Sequence, residues 1–408
     1  MRILHTSDWH IGNSLVNKKR YEEYTAFLTW LTETIQKNTI DVLLVAGDVF
    51  DTTTPSNRAQ ALYYTFLHRV ANTCCRHVVI VGGNHDSPSL LNAPKELLKV
   101  FDIHVVGCIP ESIEDEVLVL RNRADGHIPE LIVCAVPYLR DRDIRVAEAG
   151  ESLEDKERKL LTGIRNHYAH VAALAEQKRG ELDIPIVATG HLFTAGGHTG
   201  DGVRELYVGS LAHVQADIFP ACFDYLALGH LHVPQMVHGS PTLRYSGSPL
   251  PIGFGEATQR KSVCQVEFHN RQASVQLIEV PVFQQLERIS GDWDAITKRI
   301  RALKKVAHAQ SWLDVTYNGT EVIGDLRERL EAELSGTDME ILRIKNNRII
   351  QGVLEQRHEG ETLDDLGVDA VFERCLDVHE TPEEDRPELR RAYQETLTSL
   401  YEDDAQAE

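Results

Sequence analysis

Short apolar runs, each closed by a glycine or a polar residue, recur along roughly the first 280 residues of the chain. Arg2–Thr6 runs into Asp8, Asp41–Ala46 into Gly47-Asp48, and His77–Val81 into Gly83-Asn84-His85. Pro185–Thr189 precedes Gly190-His191, and Asp224–Leu228 precedes Gly229-His230. Runs this short, rich in Val, Ile and Leu, predict strands buried on both faces. Between them Tyr21, Tyr24, Phe27, Leu28, Leu31 and Ile35 keep a period near 3.6, which predicts a helix with one apolar face. Asn57–Val70, Leu90–Phe101 and Glu151–Arg179 read as helices too. Strands alternating with helices predict an α/β architecture with helices covering the sheet. Ligands then gather in loops beyond the carboxyl ends of the strands, where each of these polar residues falls.

The pattern changes further on. From Gln235 to Val280 it predicts short strands and turns, as in Leu243–Ser246, Val263–Phe268 and Ser274–Val280. After Pro281 a smaller α+β unit is expected, with helices over Asp294–Val306 and Glu321–Leu334 and strands over Trp312–Tyr317 and Met339–Lys345. Beyond Asn346 the chain is polar and reads as helical, with an apolar stripe at Leu363, Leu366, Val371, Phe372 and Leu376. The expected domains are residues 1–282, 283–346 and 347–408, with no internal repeat.

A chain of 408 residues exceeds what one core usually serves, which agrees with that division. No run of about 18 apolar residues occurs and no leader pattern precedes the first strand, so neither a membrane span nor a secretory signal is expected. The seven cysteines are scattered without a C-x-x-C pair. Reduced thiols and a cytoplasmic location follow as the expectation. The net charge of −20 argues against a nucleic-acid partner until its distribution is considered. Residues 359–408 hold 17 Asp and Glu against 4 Arg, a net of −13, which leaves −7 for the other 358 residues. The acidity belongs mainly to a C-terminal arm or solvated face.

In chain order the polar residues read Asp8-x-His10, Gly47-Asp48-x-x-Asp51, Gly83-Asn84-His85-Asp86, Gly190-His191 and Gly229-His230-x-His232. Each piece alone is commonly a turn or a chance match. Together, each behind a strand, they supply what a binuclear phosphoester-hydrolysing centre needs: oxygen and imidazole donors for two divalent ions about 3.5–4 Å apart. Two carboxylates against two such ions leave a positive site suited to an anionic phosphodiester. A donor set without thiolate favours Mn, Fe or Zn. Asp86 reads as a turn or supporting residue. His5, His77, His104 and His269 lie in strand-like runs, where local hydrogen bonding is the expected role.

The series resembles the calcineurin-like metallophosphoesterase superfamily, whose motifs run DxH, GDxxD, GNH, GH and GHxH. The resemblance implies a four-layer α/β/β/α sandwich. It also implies that Asp8, His10 and His232 hold the first ion, Asn84, His191 and His230 the second, and that Asp48 bridges them. His85 would stabilise the transition state and protonate the leaving oxygen, a task natural for imidazole. Asp51 would support His85 as its carboxylate partner.

His5–Gly12, Gly83–Ser87, Val136–Arg140 and Tyr245–Pro249 narrow the resemblance to the SbcD nuclease family, across essentially the whole chain. That family implies a manganese-favouring 3'-5' exonuclease and endonuclease acting on duplex DNA ends and hairpins, in DNA repair, replication and recombination. It implies a homodimer, joined through the helices Asn57–Val70 and Leu90–Phe101, within a heterotetramer containing an SbcC-type coiled-coil ABC ATPase. The small α+β domain would cap the site and guide DNA. Lys298, Arg299, Arg301, Lys304 and Lys305 form a basic run able to meet phosphates, or equally a solvated helix face. The stripe from Leu363 to Leu376 would dock on the ATPase or pack on its own domain. A small-molecule phosphodiesterase or protein phosphatase on the same centre is the alternative, and the roughly 125-residue extension after Phe283 argues against it.

Overall fold

A computed structural model describes residues 1–122, 127–146, 148, 150–194, 218–305, 310–321 and 323–347, with nine further positions between Phe372 and Tyr393. The chain divides into two compact units, Met1–Leu286 and Glu287–Glu408.

The first unit holds two six-stranded sheets. One runs, in spatial order, Gln272–Glu279, Ser262–His269, Arg2–Thr6, Val42–Ala46, His77–Val81 and Ile103–Val106. The last four of these are mutually parallel. The other runs Gln235–Val237, Ser240–Tyr245, Tyr225–Gly229, Ile186–His191, Ile128–Cys134 and Val117–Asn122. Side chains alternate across each strand, so every apolar residue of a run has a face to fill. Ile3, Val42, Leu44, Val79 and Val81 meet Leu131, Val133, Val187 and Ala227 of the second sheet. Leu4, Leu43, Val45, Val78 and Ile80 turn the other way, onto Phe27, Leu31, Phe66 and Val70 of the helices Tyr21–Lys37 and Asn57–Ala71. On the far side Ile132, Ile186 and Leu226 pack on Leu160, Ile164 and Val171 of the helix Leu153–Arg179. Helix, sheet, sheet and helix make the four layers expected.

The helix expected over Leu90–Phe101 is instead two short ones, Pro88–Asn92 and Lys95–Lys99. Pro94 stands between them, and its missing amide and ring end the first. Ser56 and Ser152 cap their helices by accepting the amides of Ala59 and Asp155.

The second unit carries a three-stranded sheet, Gln285–Gly291, Ser311–Tyr317 and Glu340–Asn346, with the helices Trp293–Leu303 and Leu326–Leu334 packed on it through Ile296, Ile300 and Leu330. Both helices are shorter than the sequence suggested, the first ending at Leu303 and the second starting only at Leu326. Leu363, Leu366 and Val371 of the C-terminal stripe lie outside the described residues. Phe372 stacks on Tyr393, and Leu376 is buried.

Candidate metal centre

Asp8, Asp48 and Asn84 follow three adjacent parallel strands of the first sheet, and His191 and His230 end or follow two adjacent strands of the second. Beyond the strand ends the loops remain laced together. The amides of Asp8, His10 and Ile11 donate to the carbonyls of Gly47, Asp48 and Val49. Trp9 is buried between Phe27 and Phe66 and donates to Thr6 Oγ1 at 2.9 Å, which anchors the loop between its two polar neighbours. Asp86 accepts the amides of Gly83, Val49 and Phe50 and so ties the third loop to the second. Burial, with Asp48 beside it, pushes the Asp86 carboxyl up to about 6 despite those three donors.

Asp8, His10, Asp48 and His230 all take left-handed backbone conformations, with φ of 54°, 49°, 51° and 97°. Each such residue without glycine's freedom costs about 1–3 kcal/mol and persists only where its surroundings hold it. The holding contacts are present. Asp8 Oδ1 accepts the amide of His230 at 2.8 Å, and Oδ2 accepts the hydroxyl of Ser7 at 2.5 Å. Asp48 Oδ1 accepts the amide of His85 at 2.8 Å. Glycine is needed where these loops meet: a Cβ on Gly83 would sit 2.2 Å from Asp48 Oδ1, and one on Gly229 would sit 1.9 Å from the Ala46 carbonyl.

The side chains converge. Asp48 Oδ2 lies 3.2 Å from His191 Nε2 and 3.6 Å from His10 Nε2, so one carboxylate oxygen stands between two imidazoles. Asn84 Oδ1 lies 2.9 Å from His191 Nε2. The rings of His10 and His232 are 5.2 Å apart, and those of His191 and His230 are 5.4 Å apart. Ligand atoms of Asp8, His10 and His232 fall within 4.8 Å of one another, as do those of Asp8, Asp48 and His191.

The fit to divalent cations rests on this donor set and on its supports. His10 is buried, yet neither ring nitrogen has a hydrogen-bond partner, although Asp51 Oδ1 lies 3.4 Å from Nδ1. His191 Nδ1 is 3.0 Å from the Ala46 carbonyl, which can only accept, so the proton sits on Nδ1 and Nε2 faces the site. His232 Nδ1 faces Glu256 Oε1 at 3.3 Å in the same sense. Such partners orient metal-binding imidazoles and raise their basicity. Without cations, burial pushes His10 and His191 down, but neighbouring carboxylates outweigh it; Asp48 above all takes His191 to about 9. Burial raises Asp48, and His191, His10 and His85 overcome that to hold it well below the usual carboxylate range. Burial and the adjacent His191 keep His230 neutral, ready to donate a lone pair.

Asp51 does stand beside His85, and the hydrogen bond seen between them uses the Asp51 main chain. His85 Nδ1 meets the main-chain carbonyl of Asp51 at 2.7 Å, and the Asp51 carboxylate instead accepts from Asn13 Nδ2 at 3.2 Å and faces His10. The loop brings the Asp51 carbonyl to hydrogen-bonding distance of the ring and its carboxylate within 4.8 Å of ring nitrogens of both His10 and His85. Arg299 and Arg301 are also less available to phosphate than the bare sequence suggests. They pair with Glu287 and Glu333 at 2.9 and 2.8 Å, while Lys298, Lys304 and Lys305 are exposed.

Sequence reasoning missed Glu256 and Lys261. Lys261 Nζ is buried against Glu256 Oε2 at 2.6 Å and donates to the His232 carbonyl at 3.1 Å, while Glu256 faces the His232 ring. Ser246 Oγ, 2.8 Å from Ser7 Oγ, extends the support behind Asp8. The Tyr245–Pro249 segment was the signal available for Ser246. Glu256 had none.

The family described as calcineurin-like phosphoesterase matches residues 1–234, and the one described as type 5 capsule protein repressor C-terminal domain matches residues 282–380. The chain is similar to the SbcD component of the nuclease SbcCD of Escherichia coli (strain K12), with 36% identity over 402 residues spanning 98% of each chain. It is 38% identical over 263 residues to the corresponding SbcCD component of Rhodobacter capsulatus, covering 63% of this chain and 64% of that one. For the counterpart in Bacillus subtilis the identity is 36% over 275 residues, covering 65% and 66%. With the motif loops converging as they do, the chain belongs to the calcineurin-like phosphoesterases and, within them, to the SbcD family.

Proposed function

We propose that this chain is a metal-dependent DNA nuclease, the SbcD component of an SbcCD-type complex, hydrolysing phosphodiester bonds at duplex ends and hairpins. The observation that carries the reading is the Asp48 carboxylate standing between His10 and His191, with His85 alongside. Asp8, His10 and His232 would hold one divalent ion and Asn84, His191 and His230 the other, with Asp48 shared. When bound, the two ions supply positive charge and an activated water for attack on phosphorus. Manganese suits the mixed oxygen and imidazole donors.

The chain's own residues do the rest. His85 is half-buried and its ring lies 4.8 Å from that of His10. With Nδ1 committed to the Asp51 carbonyl, its Nε2 is the atom that can give a proton to the leaving oxygen. Leu97, Val100 and Phe101, in and after the helix Lys95–Lys99, are exposed, which supports a homodimer through this region. Residues 283–346 we assign to DNA guidance through Lys298, Lys304 and Lys305, and residues 347–408 to docking on the SbcC-type ATPase. Among the described residues no helix is long and apolar enough to cross a membrane, and we place the complex in the cytoplasm.

The test is cleavage of an end-labelled hairpin duplex beside a chromogenic phosphodiester, each with Mn²⁺ and with chelator. Mn²⁺-dependent hairpin cleavage supports the nuclease. Hydrolysis of the small ester alone, even with the ATPase added, favours a small-molecule phosphodiesterase.

A further inference from the structure

His77, read from the sequence as a histidine satisfied within its strand, is satisfied at only one of its two ring nitrogens. It opens the strand His77–Val81, whose other end leads to Asn84 and His85, so it lies about 13 Å from that end at the usual rise per residue. The parallel register pairs Val79 with His104, which puts His77 and His104 on the sheet face that carries Val79. Asp102 stands where the neighbouring strand begins. Ligand atoms of His77, Asp102 and His104 all lie within 4.8 Å of one another.

The His77 side chain is 5% exposed. Its Nε2 is 3.1 Å from the main-chain carbonyl of Arg121, which can only accept, so Nε2 carries the proton. Nδ1 is therefore the lone-pair nitrogen, and it is buried with no hydrogen-bond partner. A buried acceptor left this way is rare and calls for a cause, such as an ion. A ring N–H given to a carbonyl, with the other nitrogen turned to a histidine and a carboxylate, is the support that metal-binding imidazoles use. Burial also holds the His77 pKa below its ordinary value, which keeps the lone pair available. The nearby Arg76 is engaged by Asp41 and Glu130 at 3.2 and 2.8 Å, so its charge is balanced beside the cluster.

We infer that His77, Asp102 and His104 form a further cation site, separate from the catalytic centre, that takes a borderline divalent ion, zinc foremost. Two imidazoles and one carboxylate make a tetrahedral set with the fourth position left to water. Because His77 is tied to Arg121 of the strand Val117–Asn122, the ion joins the two sheets at the end away from the catalytic loops. Its role is to stabilise the sandwich there.

The test compares the full-length parent with His104→Gln, a change at a half-buried side chain. Both are stripped with chelator, then dialysed against Zn²⁺, and metal content is counted by mass spectrometry. Melting temperature with and without Zn²⁺ and Mn²⁺-dependent hydrolysis are measured on the same samples. The parent should hold one more zinc per chain than the variant and gain more in melting temperature, with hydrolysis unchanged by the substitution. Equal zinc content in the two proteins overturns the site. So does a zinc deficit accompanied by lost hydrolysis, because the missing ion would then belong to the catalytic centre.

Discussion

His85 Nδ1 donates to the main-chain carbonyl of Asp51 at 2.7 Å, while the carboxylate of the same residue faces His10 Nδ1 at 3.4 Å. One residue thus serves two imidazoles through different atoms. Replacing its side chain should disturb His10 and spare His85. Asp51→Asn is expected to weaken metal affinity by about 10–100-fold, the usual cost of losing a partner behind a ligand. At saturating metal, kcat should stay within a few-fold of the parent. Titration calorimetry with Mn²⁺, set beside kcat at high metal, separates this from a direct catalytic role, for which kcat would collapse at any metal concentration.

His85→Asn removes the proton donor while leaving the seven proposed ligands in place. Turnover should fall by about 10²–10⁴-fold, the range of general acid catalysis. Bound metal per chain should not change. Metal content that fell in step with activity would make His85 a ligand or a structural residue.

The buried pair Glu256–Lys261 predicts a split between stability and metal binding. Removing one partner strands the other charge, which costs about 3–5 kcal/mol. Glu256→Gln alone should therefore lower the denaturation midpoint and weaken metal binding through His232. The double change Glu256→Gln, Lys261→Met should recover most of the stability but not the affinity. Recovery of both would reduce Glu256 to a structural residue.

The proton on His191 sets a pH dependence. In the metal-free chain its pKa is raised to about 9, and a cation must displace that proton from Nε2. Affinity should then tighten by about tenfold per pH unit from 7 toward 9 and level off above, for one proton displaced. Stability of the metal-free chain runs the other way. A raised histidine pKa contributes fully below 6.5, and the contribution is lost as pH rises through about 9. Metal titrations and chemical denaturation across that range check both signs. A flat affinity profile would show that His191 enters the site without its proton.

Much of the fold was legible because strands such as Val42–Ala46 and His77–Val81 are buried on both faces and leave an unbroken apolar run. The residues that converge at the candidate centre were legible for a related reason: each stands just past such a run, several behind a glycine that close packing requires. What escaped depends on atoms rather than residue types. A sequence names Asp51 but cannot say which of its oxygens reaches His85. Glu256 lies 24 positions from His232, at the end of a single helical turn too short to leave a repeating pattern, and only the fold joins them. The pairing of Arg301 with Glu333 spans 32 positions and was equally invisible. His77 was legible only in part: its strand position suggests satisfied hydrogen bonds, and Nε2 makes one, whereas its Nδ1 has none.

The central claim is that Asp48 is shared by two divalent ions. Anomalous diffraction from crystals soaked in Mn²⁺ tests it most directly. Two peaks about 3.5–4 Å apart, one beside Asp8, His10 and His232 and the other beside Asn84, His191 and His230, with the Asp48 carboxylate between them, are the predicted result. A single peak, or two peaks that Asp48 does not bridge, would contradict the account.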